Sequence, residues 1–185
     1  MRDVIFVRVA AFALVFGVIA GIFSASFSEK EIIESYGAWF PGFYDCNETE
    51  LWVKSVFCGP IFVFGIFLTG LFIFGHLFVY PVTFYYGYTF GFLITCTIIC
   101  FGMSGTPYIL FRLPSMAITS MILCKGSGVA VRFSSETLSG ADFFELRTKL
   151  SKYLRQGIGY VILSLFPMVY EAIFVPKILI LWDSF

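Results

Sequence analysis

From Val4 to Phe23, twenty residues pass with a single charge, Arg8, and comparable apolar runs recur at 55–75, 79–103, 107–125 and 157–174. A bilayer's hydrocarbon core is about 30 Å thick, and a helix of about 20 apolar residues crosses it. Inside it no water satisfies the backbone, so the chain must bond its own N–H and C=O groups, as a helix does. Five such runs in 185 residues restrict the chain to one architecture. It is an all-α, polytopic integral membrane protein, a single membrane domain of about five transmembrane helices. Composition agrees: 59% of residues are hydrophobic and 13% charged, against about 45–50% apolar and about 25% charged in soluble domains.

The first run has a basic start, Arg2 and Arg8, and ends in small residues, Ser24-Ala25-Ser26. Its length exceeds the roughly 7–15 residues of a signal-peptide core, so it reads as an uncleaved anchor. Gly75-His76 marks a tight connection between the second and third runs. Orientation comes from the two long loops. The segment 125–156 carries Lys125, Arg132, Arg147, Lys149, Lys152 and Arg155 against Glu136, Asp142 and Glu145. The segment 24–54 carries Glu29, Glu31, Glu34, Asp45, Glu48 and Glu50 against Lys30 and Lys54. The positive-inside rule places 125–156 in the cytoplasm and 24–54 outside. A multi-pass cell-membrane protein follows, N-terminus cytoplasmic and C-terminus outside.

Each long loop predicts one amphipathic helix. Ser28-Glu29-Lys30-Glu31 has the form of a capping box, and Ile32, Ile33, Tyr36 and Trp39 then share a helical face. That face suits the outer membrane surface, or a docking partner. In the inner loop, Phe143, Phe144, Leu146, Leu150 and Leu154 lie along one side of a helix whose Arg and Lys residues lie largely elsewhere. Such a helix rests on anionic membrane lipids.

Catalytic motifs are absent: no H-E-x-x-H, G-x-S-x-G or phosphate-cradling glycine loop occurs, and the one histidine, His76, sits in a turn. An enzyme, a metal, a cofactor or a nucleic-acid partner is not expected. Cys96 and Cys100, one turn apart, read as small packing residues. A disulfide between Cys46 and Cys58 is conceivable, and Asn47-Glu48-Thr49 fits a glycosylation sequon. Gly17 and Gly21, and Gly87 and Gly91, form G-x-x-x-G pairs, which let helix backbones approach closely in lipid.

Deeper in the membrane two or three charges remain: Arg112, Glu171 and, if the last span extends past 174, Lys177. A charge at the bilayer centre costs at least about 2.5–3.5 kcal/mol. If the last span reaches Trp182, Glu171 lies near mid-membrane. If Pro176 marks a bend and the span ends near Phe174, Glu171 lies about a turn inside the outer boundary, within reach of Arg112. The second register is preferred because it pairs the charges. The fourth run is interrupted by Arg112 and Pro114.

The order of "YPVTFYYGYTFGFL", then "GTPYILFRLPSMAI", then a last span with "YEAIFVP", and above all Tyr170-Glu171-Ala172 followed by Pro176, resembles the stage II sporulation protein M family. Arg112 departs from the acid that many of the broader family carry before the proline. The resemblance implies a non-catalytic scaffold in the mother-cell and septal membrane. Its implied partners are peptidoglycan hydrolases, a lytic transglycosylase and an amidase/endopeptidase, which thin the septum and drive engulfment during endospore formation. The acidic outer loop and the C-terminal segment are then the contact candidates, with Glu171, Arg112, Pro176, Pro114, Gly87, Gly91 and Trp39 as structural or partner-binding residues. The alternative is a small transporter or channel, for which the broken fourth run and the intramembrane charges speak. Against it, the sequence has no internal repeat and no polar stripe through several spans.

Overall fold

The computed structural model describes residues 2–29, 59–72, 74–138 and 143–183. Within them the chain forms α1 (Arg2–Ser26), α2 (Pro60–Gly70), α3 (Gly75–Phe101), a single 3-10 turn (Gly102–Gly105), α4 (Thr106–Leu138) and α5 (Phe143–Asp183). Among the described residues there are no strands. Four of the helices, α1, α3, α4 and α5, are long and apolar enough to cross a membrane. The second predicted span appears as α2, whose 11 residues extend about 16 Å at 1.5 Å per residue. Its expected start at 55–58 lies outside the described residues. So do the outer amphipathic helix with Trp39, the sequon, and Cys46 and Cys58.

Two helices run on past the ends expected for their membrane spans. The fourth helix does not break at Pro114 and does not end at Lys125; it continues to Leu138. The last helix does not end at Phe174, and its backbone stays helical past Pro176 to Asp183. Proline removes one N–H and crowds the carbonyl four residues before it. In a membrane bundle neighbouring helices and hydroxyl side chains compensate, so proline is tolerated inside spans. Pro81 in α3 is a third example.

The inner amphipathic segment is likewise not a separate helix. It is the first third of α5, whose 41 residues reach about 60 Å, twice the hydrocarbon thickness. Most of the expected cytoplasmic loop 125–156 is therefore helix, the end of α4 and the start of α5. Packing explains the extension. Phe133 of α4 stacks on Tyr153 of α5 with ring centroids 4.3 Å apart, and Ala130, Val131 and Tyr153 are buried.

Side-chain exposure is inverted relative to a water-soluble bundle. On α1, Ala10, Gly17, Gly21 and Ala25 are buried, while Phe12, Phe16 and Phe23 are more than 60% exposed. That surface would aggregate in water and is satisfied by lipid tails. The buried stripe of α1 meets α3. A Cβ on Gly17 would strike the Phe84 carbonyl, one on Gly21 that of Tyr88, one on Gly87 that of Leu14 and one on Gly91 that of Val18. The two G-x-x-x-G pairs are thus each other's partners, backbone on backbone, as expected where dispersion rather than hydrophobicity drives helix association.

The core lies among α2, α3, α4 and α5. Phe67 sits in a slot left by Gly126 and Gly157 and lies against the rings of Tyr153 and Tyr160, at 5.5 and 5.6 Å. The connection between α2 and α3 falls between Gly70 and Gly75, just before the predicted Gly75-His76. It is held to α4 by Ser134, whose Oγ accepts from His76 N at 3.1 Å and donates to the Phe72 carbonyl at 2.9 Å. At the other end of α3, Gly102 adopts φ +57°, a left-handed conformation that glycine takes without a Cβ clash. It reverses the chain into α4.

Candidate polar clamp between the last two helices

Antiparallel packing of α4 on α5 brings the start of one to the end of the other. Tyr108, Arg112, Ser115 and Thr119 follow at intervals of four, three and four along α4, one continuous helical face. Arg112, Ser115 and Thr119 are buried polar residues, as is Glu171 on α5. Arg112 Nη2 lies 3.3 Å from Glu171 Oε2, with 3% and 9% of the two side chains exposed. Arg112 Nη1 donates to the Tyr108 hydroxyl at 2.7 Å, and the guanidinium carbon lies 5.6 Å from the centre of the Tyr108 ring. The pairing of Arg112 with Glu171 expected from charge and depth is present.

Ser115 completes the cluster. Its Oγ is within hydrogen-bonding reach of Glu171 Oε1 and of the Arg112 carbonyl. A hydroxyl has one proton, and the carboxylate is the stronger acceptor, so Ser115 donates to Glu171. The carboxylate is thus held by a guanidinium on one oxygen and a hydroxyl on the other. Buried charges persist only when paired and hydrogen-bonded in this way.

The surroundings are apolar and aromatic. Tyr108 packs with Phe92, Cys96 and Ala25, and Tyr170 lies against them. Tyr88 of α3 hydrogen-bonds Ser24 of α1 at 2.8 Å, tying the end of α1 to the same end of the bundle. Cys96 is buried and Cys100 exposed. Among the described residues no three His, Cys, Asp or Glu side chains converge as metal ligands would.

The remaining sequence candidates are dispersed. Pro114 is exposed on α4, off the clamp face. Pro176 lies in the helical backbone of α5, five residues beyond Glu171. Gly87 and Gly91 serve the α1–α3 contact, and Trp39 lies outside the described residues. Sequence reasoning missed Tyr108 and Ser115. The signal was available: they stand at i−4 and i+3 from Arg112, the neighbours a helix places on one face. Compared with family models, with curated proteins and with solved structures, the chain matches none.

Proposed function

We infer that this chain is a non-catalytic membrane scaffold, of the kind the stage II sporulation protein M resemblance implies, anchoring peptidoglycan hydrolases at a septal membrane. The observation that carries this reading is the closed state of the intramembrane charges. Arg112 and Glu171 are paired with each other and hydrogen-bonded to Tyr108 and Ser115, which ties α4 to α5. A transport site needs polar groups turned toward a substrate path. Here they are turned inward, and the continuity of α4 through Pro114 leaves the transporter reading without its broken helix.

The clamp sits at the end of the bundle from which the acidic segment after α1 departs. With the basic ends of α4 and α5 in the cytoplasm, that segment and the C-terminal turns of α5 emerge together on the outer face. A rigid frame then presents them to enzymes working on the wall. The test is in-cell crosslinking from the 30–58 segment and from the end of α5, with identification of captured proteins. Cell-wall hydrolases, captured with the parent chain and lost on Glu171→Gln, are expected. Solute flux through proteoliposomes holding the purified chain, with no hydrolase captured, refutes the scaffold.

A further inference from the structure

At the end of the molecule opposite the clamp, α1, α4 and α5 enclose a cavity of about 420 Å3. Two helix faces build its polar wall. On α4, Lys125, Arg132 and Glu136 follow at intervals of seven and four; on α5, Lys149, Lys152 and Gln156 follow at three and four. These spacings put each set on one side of its helix, and the antiparallel hairpin turns the two sides toward each other. Among the described residues that line it, four cationic side chains stand beside one carboxylate.

Glu136 organises part of this charge without neutralising it. It accepts from Arg132 Nε at 2.9 Å and lies 3.5 Å from Lys149 Nζ, so one carboxylate bridges two helices and holds two cations. Among the described residues, Lys125 and Lys152 enter no ion pair. Apolar side chains complete the lining, among them Val7 of α1 and Val129 and Phe133 of α4. Depth adds a further constraint. Lys125 is the first charge on α4 after Arg112, and the apolar run of α5 begins at Gly157, just after Gln156, which puts the cavity toward the level where hydrocarbon gives way to headgroups.

A cluster of cations beside apolar side chains at that level matches an anionic lipid, its phosphate among the lysines and its first acyl carbons against Val7 and Val129. Basic pockets between membrane helices on the cytoplasmic side bind headgroups by this chemistry. We propose that this cavity binds the phosphate group of an anionic phospholipid headgroup. The site is independent of the scaffold reading, since it uses none of the clamp residues.

The test uses the full chain in phosphatidylcholine nanodiscs titrated with phosphatidylglycerol, with bound lipid counted by native mass spectrometry. Each basic residue near an anionic surface contributes on the order of 1 kcal/mol, so Lys125→Gln with Lys152→Gln lowers the apparent affinity about thirty-fold. The matched control is Arg147→Gln with Arg155→Gln, which removes the same charge from a different groove of α5 and leaves the affinity within about threefold of the parent. Lys125→Arg with Lys152→Arg keeps the charge and retains binding, which separates lost recognition from lost folding. Equal weakening by the two glutamine pairs, or no preference of the parent for phosphatidylglycerol over phosphatidylcholine, overturns the site. A second arm supplies inorganic phosphate in lipid-free detergent. Binding of that ion as tight as that of the lipid, with the same lysine dependence, assigns the cavity to a free anion and overturns the lipid source.

Discussion

Replacing Glu171 by glutamine keeps the shape of the side chain and removes its charge, leaving the Arg112 guanidinium buried beside a tyrosine hydroxyl and a neutral amide. At 3.3 Å the pair's attraction is about 5 kcal/mol for an effective dielectric of about 20. Much of this offsets the cost of dehydrating both ions, so the pair adds little net stability over an apolar one. Breaking it is different, because one partner stays buried and uncompensated, at a cost of about 3–5 kcal/mol. For a chain of this size each kcal/mol lowers the melting temperature by about 2–4 °C, so Glu171→Gln melts on the order of 10 °C below the parent in mild detergent. Arg112→Met costs a similar amount, since the carboxylate is then the stranded charge. The double variant Arg112→Met with Glu171→Leu recovers to within about 2 kcal/mol of the parent, because an apolar pair of similar volume has nothing to dehydrate. The reversal Arg112→Glu with Glu171→Arg is better tolerated than either single change, as Tyr108 can donate to the new carboxylate and Ser115 can accept from the new guanidinium. The assay is a double-mutant cycle on thermal unfolding followed by circular dichroism. Single-variant losses that simply add in the double variants, with no coupling energy, refute the clamp.

Three further outcomes follow from other parts of the fold. Gly91→Ile drives a side chain into the Val18 carbonyl and forces α1 and α3 apart, at a cost above the roughly 1–3 kcal/mol of ordinary overpacking. Gly159→Ala, in open space, is neutral or stabilising by up to about 1 kcal/mol through helix propensity; thermal unfolding of both variants compares them, and equal losses contradict the close approach. Tyr153 is 3% exposed and donates to the Phe67 carbonyl at 2.8 Å, so Tyr153→Phe lowers stability by about 1–2 kcal/mol. An unchanged melting temperature shows that this bond holds nothing. For topology, Cys46, when reduced, is expected to react with a membrane-impermeant thiol reagent applied to intact cells; labelling only after permeabilisation reverses the assigned orientation.

What the sequence determined by itself is what depends on local composition and on helical geometry. Apolar runs long enough to cross hydrocarbon can only be helices there, so the all-helical class was legible without any contact information, while of the five expected spans four appear among the described residues as helices long enough to cross and the second as the shorter α2. Helical spacing also marked Gly17, Gly21, Gly87 and Gly91 as points of close approach, and depth marked Arg112 and Glu171 as charges in need of a partner. Tertiary structure decided who meets whom. That the two glycine pairs face each other depends on α1 crossing α3, and nothing within either segment encodes that meeting. Where helices end also escaped local reading: Pro114 and Pro176 look like breaks because proline removes a backbone hydrogen bond, yet the helical backbone runs on through both. Likewise the basic segment after Lys125 reads as a loop holding one separate amphipathic helix, while Phe133, Ala130 and Tyr153 join its two ends to α4 and α5 as continuous helix. Burial energy is a sum over contacts between distant residues, whereas propensity is a property of neighbours along the chain, and in α4 and α5 the former prevailed.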